Sequence, residues 1–290
     1  MYQEIARNKR RTIALMFFFI LFIAGIGALF SAIYNDFSIL ILVVTLTFVY
    51  TIFQYFMSGR IAVAMSGAKQ IQKKDNRRLY NIVENLVIQE GMPMPKVYIM
   101  DDPSPNAFAA GRNPEHAIVA ATTGLLDMMD DNELQAVMAH ELAHVKNYDI
   151  RLSTIVFGLV SAIAIISEIG WRIGLFGGGR NRNNNSGGAI GVVILVVASI
   201  LAPLIATIVQ LAVSRQREFL ADSSAALMTR HPESMISALR KLGQGPKPKH
   251  PPNAAMAPMY INATSAKALF STHPPIAKRI ERLEKSKKQF

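Results

Sequence analysis

Two apolar runs open the chain with almost nothing polar between them. Thr12 to Asn35 carries no charged residue over 24 positions, and Phe37 to Gly59 carries none over 23. Each exceeds the roughly 20 residues that an α-helix needs to cross a bilayer. Only Asp36 separates them, which predicts a tight helical hairpin with spans at about 13–34 and 37–58. A cleaved signal peptide has a shorter apolar core and no second span directly behind it, so that reading fails. A second apolar pair lies further on. Leu152 to Ser167 is uncharged for 16 residues before Glu168, Trp171 and Arg172, and Ala189 to Val213 is apolar for 25. The later run is long enough to span and the earlier one is marginal, giving expected spans at about 152–172 and 189–213. Gly177 to Gly188, built of Gly, Asn, Arg and Ser, reads as flexible linker. Glu168 reads as a membrane-boundary acid.

Between and after the hairpins the pattern changes to that of a water-soluble domain. Asp75 to Gln89 reads as a helix stopped by Gly91 and Pro93. Val97 to Met100 and Ile118 to Thr122 read as short strands around a turn region from Asn106 to Pro114, where Asn106 by itself is an ordinary turn residue. Asp130-Asp131-Asn132-Glu133 supplies acidic start signals for another helix. His231-Pro232 and His273-Pro274 each look like helix starts with proline in the first turn. Gly243 to Pro258, rich in Pro, Lys and Ala, reads as a loop over a cleft. The chain divides accordingly into an N-terminal hairpin (1–59), a soluble part (60–151), a second hairpin (152–213) and a second soluble part (214–290).

Composition supports this division, with 51% hydrophobic and 18% charged residues. Arg7, Lys9, Arg10 and Arg11 flank the first span while the turn at Asp36 has no Lys or Arg, so the N-terminus and both soluble parts belong on the cytoplasmic side of a cell membrane. The net charge of +11 comes mainly from that flank and from residues 214–290, which hold 14 basic and 5 acidic residues. Basic residues beside spans suit anionic lipid headgroups, and no base-stacking or groove-reading motif accompanies them, so no nucleic-acid role is assigned. With zero cysteines, disulfides and thiolate metal ligands are excluded.

The sharpest motif is His140-Glu141-Leu142-Ala143-His144. Two imidazoles four apart on a helix share one face and can reach one metal ion, and Glu141 stands beside them as a general base. The pattern arises by accident in about one chain in 200 of this composition. A catalytic zinc takes three protein ligands and keeps a fourth position for water. The third candidate lies in Ser214-Arg215-Gln216-Arg217-Glu218-Phe219-Leu220-Ala221-Asp222, where Glu218 suits the metal and Asp222 suits the second ring nitrogen of a ligand histidine. A plain amphipathic helix with an Arg215–Glu218 pair is the rival reading. His144 and Glu218 can share one ion only if the chain between them crosses the membrane twice or not at all, and two crossings follow from the apolar runs. His116 and His250 have no partners at ligand spacing and read as surface residues.

In this order, the paired N-terminal runs, Asn106-Ala107-Phe108-Ala109-Ala110-Gly111, the His140 motif, the apolar hairpin, the Glu218 to Asp222 motif and His273-Pro274 with Arg279 resemble the HtpX family of membrane-embedded zinc metalloproteases, relatives of the CAAX prenyl proteases. The resemblance covers nearly the whole chain. It implies one Zn²⁺ per chain on His140, His144 and Glu218, Glu141 as catalytic acid/base, His273 and Arg279 as stabilisers of the oxyanion, and the Asn106 region as an edge strand that holds extended substrate. The implied fold is a mainly α integral membrane protein, with four transmembrane helices and a cytoplasmic zincin-like α+β domain with a small β-sheet. The implied substrates are membrane or misfolded proteins, cut in quality control under stress at the inner membrane; an oligomeric state is not implied. A non-catalytic zinc-binding scaffold or chaperone is the alternative, disfavoured because structural zinc is usually closed by four protein ligands. A transporter would need polar residues inside its first two spans, which have almost none beyond Gln54.

Overall fold

The structure, a computed structural model, describes residues 2–177, 215–245 and 274–286, with side chains for 5–163, 215–245 and 274–285. The expected span at 189–213, His250 and His273 lie outside the described residues, as do most of the linker and most of the 243–258 loop. Helices α1 (Tyr2–Tyr34) and α2 (Phe37–Ser66) form the N-terminal hairpin. The chain reverses where Asn35 takes a left-handed φ of 52° and the Asp36 side chain caps α2 by accepting from the Ser38 N–H at 2.9 Å. Both helices are long and apolar enough to cross a membrane. Their outward faces leave Phe17, Phe18, Leu21, Phe48, Phe53 and Phe56 more than half exposed, a surface suited to lipid rather than water.

The inward face of α2 is polar, contrary to the impression left by composition. Thr47, Thr51, Gln54 and Ser58 follow one another at helical spacing and are all buried. The two threonines satisfy their hydroxyls within the helix, on the carbonyls of Val43 and Thr47, each at 2.7 Å. Small and hydroxylated residues let backbones approach closely in a membrane bundle. The partner is α6 (Asp149–Gly177): the Tyr50 hydroxyl donates to the Gly158 carbonyl at 2.9 Å, and a Cβ on Gly158 would fall 1.8 Å from Gln54 Nε2. Helix α6 runs unbroken through Glu168, so the marginal run at 152–167 belongs to a 29-residue helix.

The soluble part supplies α3 (Arg77–Glu90), α4 (Thr123–Met128), α5 (Asp131–Lys146) and a four-stranded sheet. Its strands β1 (Lys69–Gln70), β2 (Lys96–Met100), β3 (Ala107–Ala110) and β4 (Ile118–Thr122) lie in the order β1-β2-β4-β3. Strands β2 and β4 are parallel and the other pairings antiparallel, with Ala107 opposite Ala121 and Ala110 opposite Ile118. The region at 106–114, a turn by its local pattern and an edge strand by the family resemblance, therefore contains a strand at the sheet's edge. An Ala-rich run has little β-propensity of its own. It becomes a strand here because both faces of the sheet are covered, which replaces polar alternation by continuous small apolar residues. On one face Val97, Ala109, Val119 and Ala121 join the core of α3 and α5; on the other Phe108, Ala110 and Ala120 join Leu15, Phe19, Leu152 and Phe157 of the long helices. The sheet is thus sandwiched between α3 and α5 on one face and the long helices α1 and α6 on the other.

Three further described helices close the soluble part: α7 (Arg215–Thr229), α8 (Pro232–Gln244) and α9 (Ile276–Ser286). Ala221, Ala225 and Ala226 give α7 a fully buried small-residue face in the same core as Leu142 of α5, Leu239 of α8 and Leu283 of α9. Pro232 opens α8 directly after His231, as its fixed φ favours.

Candidate metal centre

Helix α5 is anchored at its start before it presents anything. Asp130 Oδ1 accepts from the Glu133 N–H and Glu133 Oε2 accepts from the Asp130 N–H, both at 2.9 Å, a reciprocal capping box. Glu133 also accepts from Ser237 at 2.7 Å and Lys241 at 2.6 Å, which ties α8 to α5. Burial pushes the Glu133 carboxyl up, but Lys241, Ser237 and the Asp130 N–H outweigh it and hold it below its ordinary value.

Two turns on, His140 and His144 stand one above the other, with ring centroids 4.8 Å apart and planes at 89°. Their Nε2 atoms are 3.2 Å apart. Glu218, from the first turn of α7, brings Oε2 to 3.7 Å from His140 Nε2 and Oε1 to 3.5 Å from His144 Nε2. Zinc–nitrogen bonds of about 2.0–2.1 Å in a tetrahedron place donor atoms about 3.3–3.4 Å apart, so the triangle has the size of three zinc ligands. Among the described residues, these three side chains form the group of donors close enough together to hold one ion. The donor set and spacing fit zinc.

The other ring nitrogens are held by carboxylates. Asp222 Oδ1 lies 3.0 Å from His140 Nδ1, off the line of a straight N–H bond, and Asp149 Oδ2 lies 2.9 Å from His144 Nδ1. Such partners fix ring orientation and raise ligand basicity. Burial pushes the His140 imidazole down, but Asp222 and Glu218 outweigh it and lift it to about 9, so protons compete with a metal for this ring. Asp222 is gripped by Arg279, whose Nε and Nη2 donate to its two oxygens at 2.9 and 2.6 Å. Burial raises the Asp222 carboxyl, yet the Arg279 charge outweighs it and brings it to about 2. Burial likewise opposes the Arg279 charge; Asp222 first, then Glu218 and Glu141, raise its pKa and keep it ionised. Glu141 is buried on α5 beside His140.

Asp149 and Asn8 carry no motif signal. Tyr148, at a left-handed φ of 60°, turns the chain sharply between α5 and α6 and delivers Asp149 back to His144. Asn8, wholly buried on α1, donates through Nδ2 to Asp149 Oδ1 at 2.7 Å and to the Asn147 carbonyl at 3.0 Å. Arg217 Nη1 lies 3.4 Å from the same Asp149 oxygen. The carboxylate behind His144 is therefore held by the N-terminal helix, 141 residues away in sequence. An acid five places after His144 was the available clue to Asp149; nothing local marks Asn8.

Asn106 sits at the entry to β3. Its N–H donates to Thr122 Oγ1 at 2.8 Å and its carbonyl accepts from the Thr122 N–H at 2.9 Å, so it pins β3 to the end of β4. His116 is exposed, with its ring bonded to Arg112 and Asn113.

A model of peptidase family M48 matches residues 73–287. The "Protease HtpX homolog" of Tropheryma whipplei is 50% identical over all of both chains. That of Streptococcus uberis is 46% identical, covering 98% of this chain and 99% of the relative. The crystal structure of S. mikatae Ste24p superposes with a TM-score of 0.51 at 18% identity, over 98% of this chain and 67% of that one, which shows a shared fold.

Proposed function

Because the chain belongs to peptidase family M48 and is a membrane metalloprotease, we propose that it is a zinc endopeptidase holding one Zn²⁺ on His140, His144 and Glu218. The observation that carries this reading is the donor triangle with edges of 3.2, 3.5 and 3.7 Å. Three donors backed by two carboxylates favour an open catalytic site over the closed four-ligand site of a scaffold. When bound, zinc supplies Lewis-acid chemistry, polarising a carbonyl and acidifying water near neutral pH. Glu141 takes a proton from the attacking water as its oxygen bonds to the peptide carbon, and returns that proton to the amine as the C–N bond breaks. Asp222 and Asp149 hold the two imidazoles in register. His273 and Arg279 stabilise the oxyanion; with Nε and Nη2 committed to Asp222, Arg279 acts there through Nη1 and its field. Strand β3, entered at Asn106, aligns extended substrate.

The same reading assigns four spans, a cytoplasmic active site at the inner membrane, and cleavage of misfolded membrane proteins in quality control. It is supported by the exposed apolar hairpin, by the sheet packed directly on it, and by the start of α6 three residues after α5 ends.

The test is a pair of variants measured for zinc content and for chelator-sensitive cleavage of an unfolded membrane protein. Glu141→Gln should keep its zinc and lose activity by on the order of 10² or more. Glu218→Ala should lose the metal. Full activity in the first variant, or unchanged zinc in the second, would overturn the assignment.

A further inference from the structure

Helix α2 outruns the membrane. From Phe37 to Arg60 is about 35 Å of helix at 1.5 Å per residue, beyond a hydrocarbon core of about 30 Å, and the helix continues to Ser66. The stretch around Phe56 to Arg60 therefore sits at headgroup depth. There α2 meets the outer end of the sheet at Gly59, where a Cβ would lie 3.2 Å from Ile118 Cδ1 and 3.6 Å from Gly111 Cα. Beside this contact opens a recess of about 560 Å³ between α2, the start of β2 and the turn after β3.

Three cations line it, Arg60, Lys96 and Arg112. None has a carboxylate partner among the described residues: Arg60 reaches only Met57 Sδ at 4.0 Å, and Arg112 turns to His116 Nε2 at 2.8 Å and lies 4.8 Å over the Phe56 ring. Glu115 is the one acid on the wall. Three unneutralised charges around one recess repel one another unless an anion joins them. From Phe56 on the wall, α2 continues away from the recess with an apolar face turned outward. Phe56 and Phe53 are 56% and 51% exposed, and Val49 continues their line up α2 toward the bilayer.

An anionic head below and apolar chains above is the pattern of a phospholipid. We propose that the recess binds the phosphodiester headgroup of an anionic membrane phospholipid, with its acyl chain laid along Phe56, Phe53 and Val49. The bound lipid neutralises the cations of α2, β2 and the β3–β4 turn together, and so braces the membrane hairpin against the sheet that borders the metal centre. Free phosphate would satisfy the charges and leave the apolar half unused. The site does not depend on the protease reading.

The experiment uses the full chain in detergent, with lipid retention followed by native mass spectrometry. Wild type should retain phosphatidylglycerol in preference to phosphatidylcholine, and millimolar inorganic phosphate should not displace it. Arg60→Gln/Lys96→Gln/Arg112→Gln should weaken retention on the order of 10²-fold, at about 1 kcal/mol per basic residue near the surface. Glu115→Gln should tighten it several-fold. The exposed set Arg240→Gln/Lys278→Gln/Lys285→Gln removes equal charge elsewhere and should leave retention within about twofold, since those residues are not near the recess. Equal retention by the recess variant, equal loss in the exposed set, equal binding of phosphatidylcholine, or displacement by phosphate would each overturn the proposal.

Discussion

Asn8→Ala should loosen the metal centre from the far end of the chain. The substitution deletes both bonds made by Nδ2, of which the one to the Asp149 carboxylate bears on the metal. A hydrogen bond to a charged group contributes about 1.5–3 kcal/mol, and partners behind metal ligands are typically worth about 10–100-fold in affinity, or roughly 1.4–2.7 kcal/mol. The two scales agree. Arg217 remains 3.4 Å from the same oxygen and recovers part of the loss. The expected result is a zinc affinity lower by about 10–30-fold. Competition against a fluorescent chelator measures it, and the visible spectrum of the cobalt-substituted protein reports whether His144 has reoriented. Thr12→Val is the control, because among the described residues the Thr12 hydroxyl bonds only the Asn8 carbonyl within its own helix; its affinity should match wild type. An Asn8→Ala protein with affinity within about twofold of wild type and an unaltered cobalt spectrum would refute the coupling.

Two other outcomes test the scaffold. Glu133 is held below its ordinary pKa, so it stabilises the fold at pH above its unfolded value, and that stability is lost as pH falls through the lowered folded value. Lys241→Met should therefore melt lower than wild type at pH 7, with the gap narrowing on acidification through the carboxylate range; a gap independent of pH would show that Lys241 does not set the ionisation of Glu133. Gly158→Ala should destabilise by about 1–3 kcal/mol by overpacking, because its Cβ would meet Gln54 Nε2 at 1.8 Å. Thermal melts in detergent should show recovery in Gln54→Ala/Gly158→Ala, and no recovery would separate the two positions.

How much the chain announced in advance depends on whether a feature is local. Uncharged runs of 24 and 23 residues declare two spans because the bilayer imposes a length on any helix that crosses it. His140 and His144 could be paired on paper because helical periodicity puts positions four apart on one face. Glu218 and Asp222 could be added because zinc chemistry demands a third donor and a carboxylate behind the ring. The capping box at Asp130 and the proline start of α8 were legible for the same reason, since each is settled within one turn of chain.

Tertiary structure decided everything that rests on distant partners. Strand β3 exists because two layers bury both faces of an alanine run, which its composition does not disclose. The polar stripe of α2 faces inward because α6 offers a glycine opposite it. Arg279 turns to Asp222 across 57 residues, and Asn8 reaches the acid behind His144 across 141. Periodicity carries information over a few residues and chemistry over a donor set. Which far segment completes the set is fixed only when packing brings the segments together.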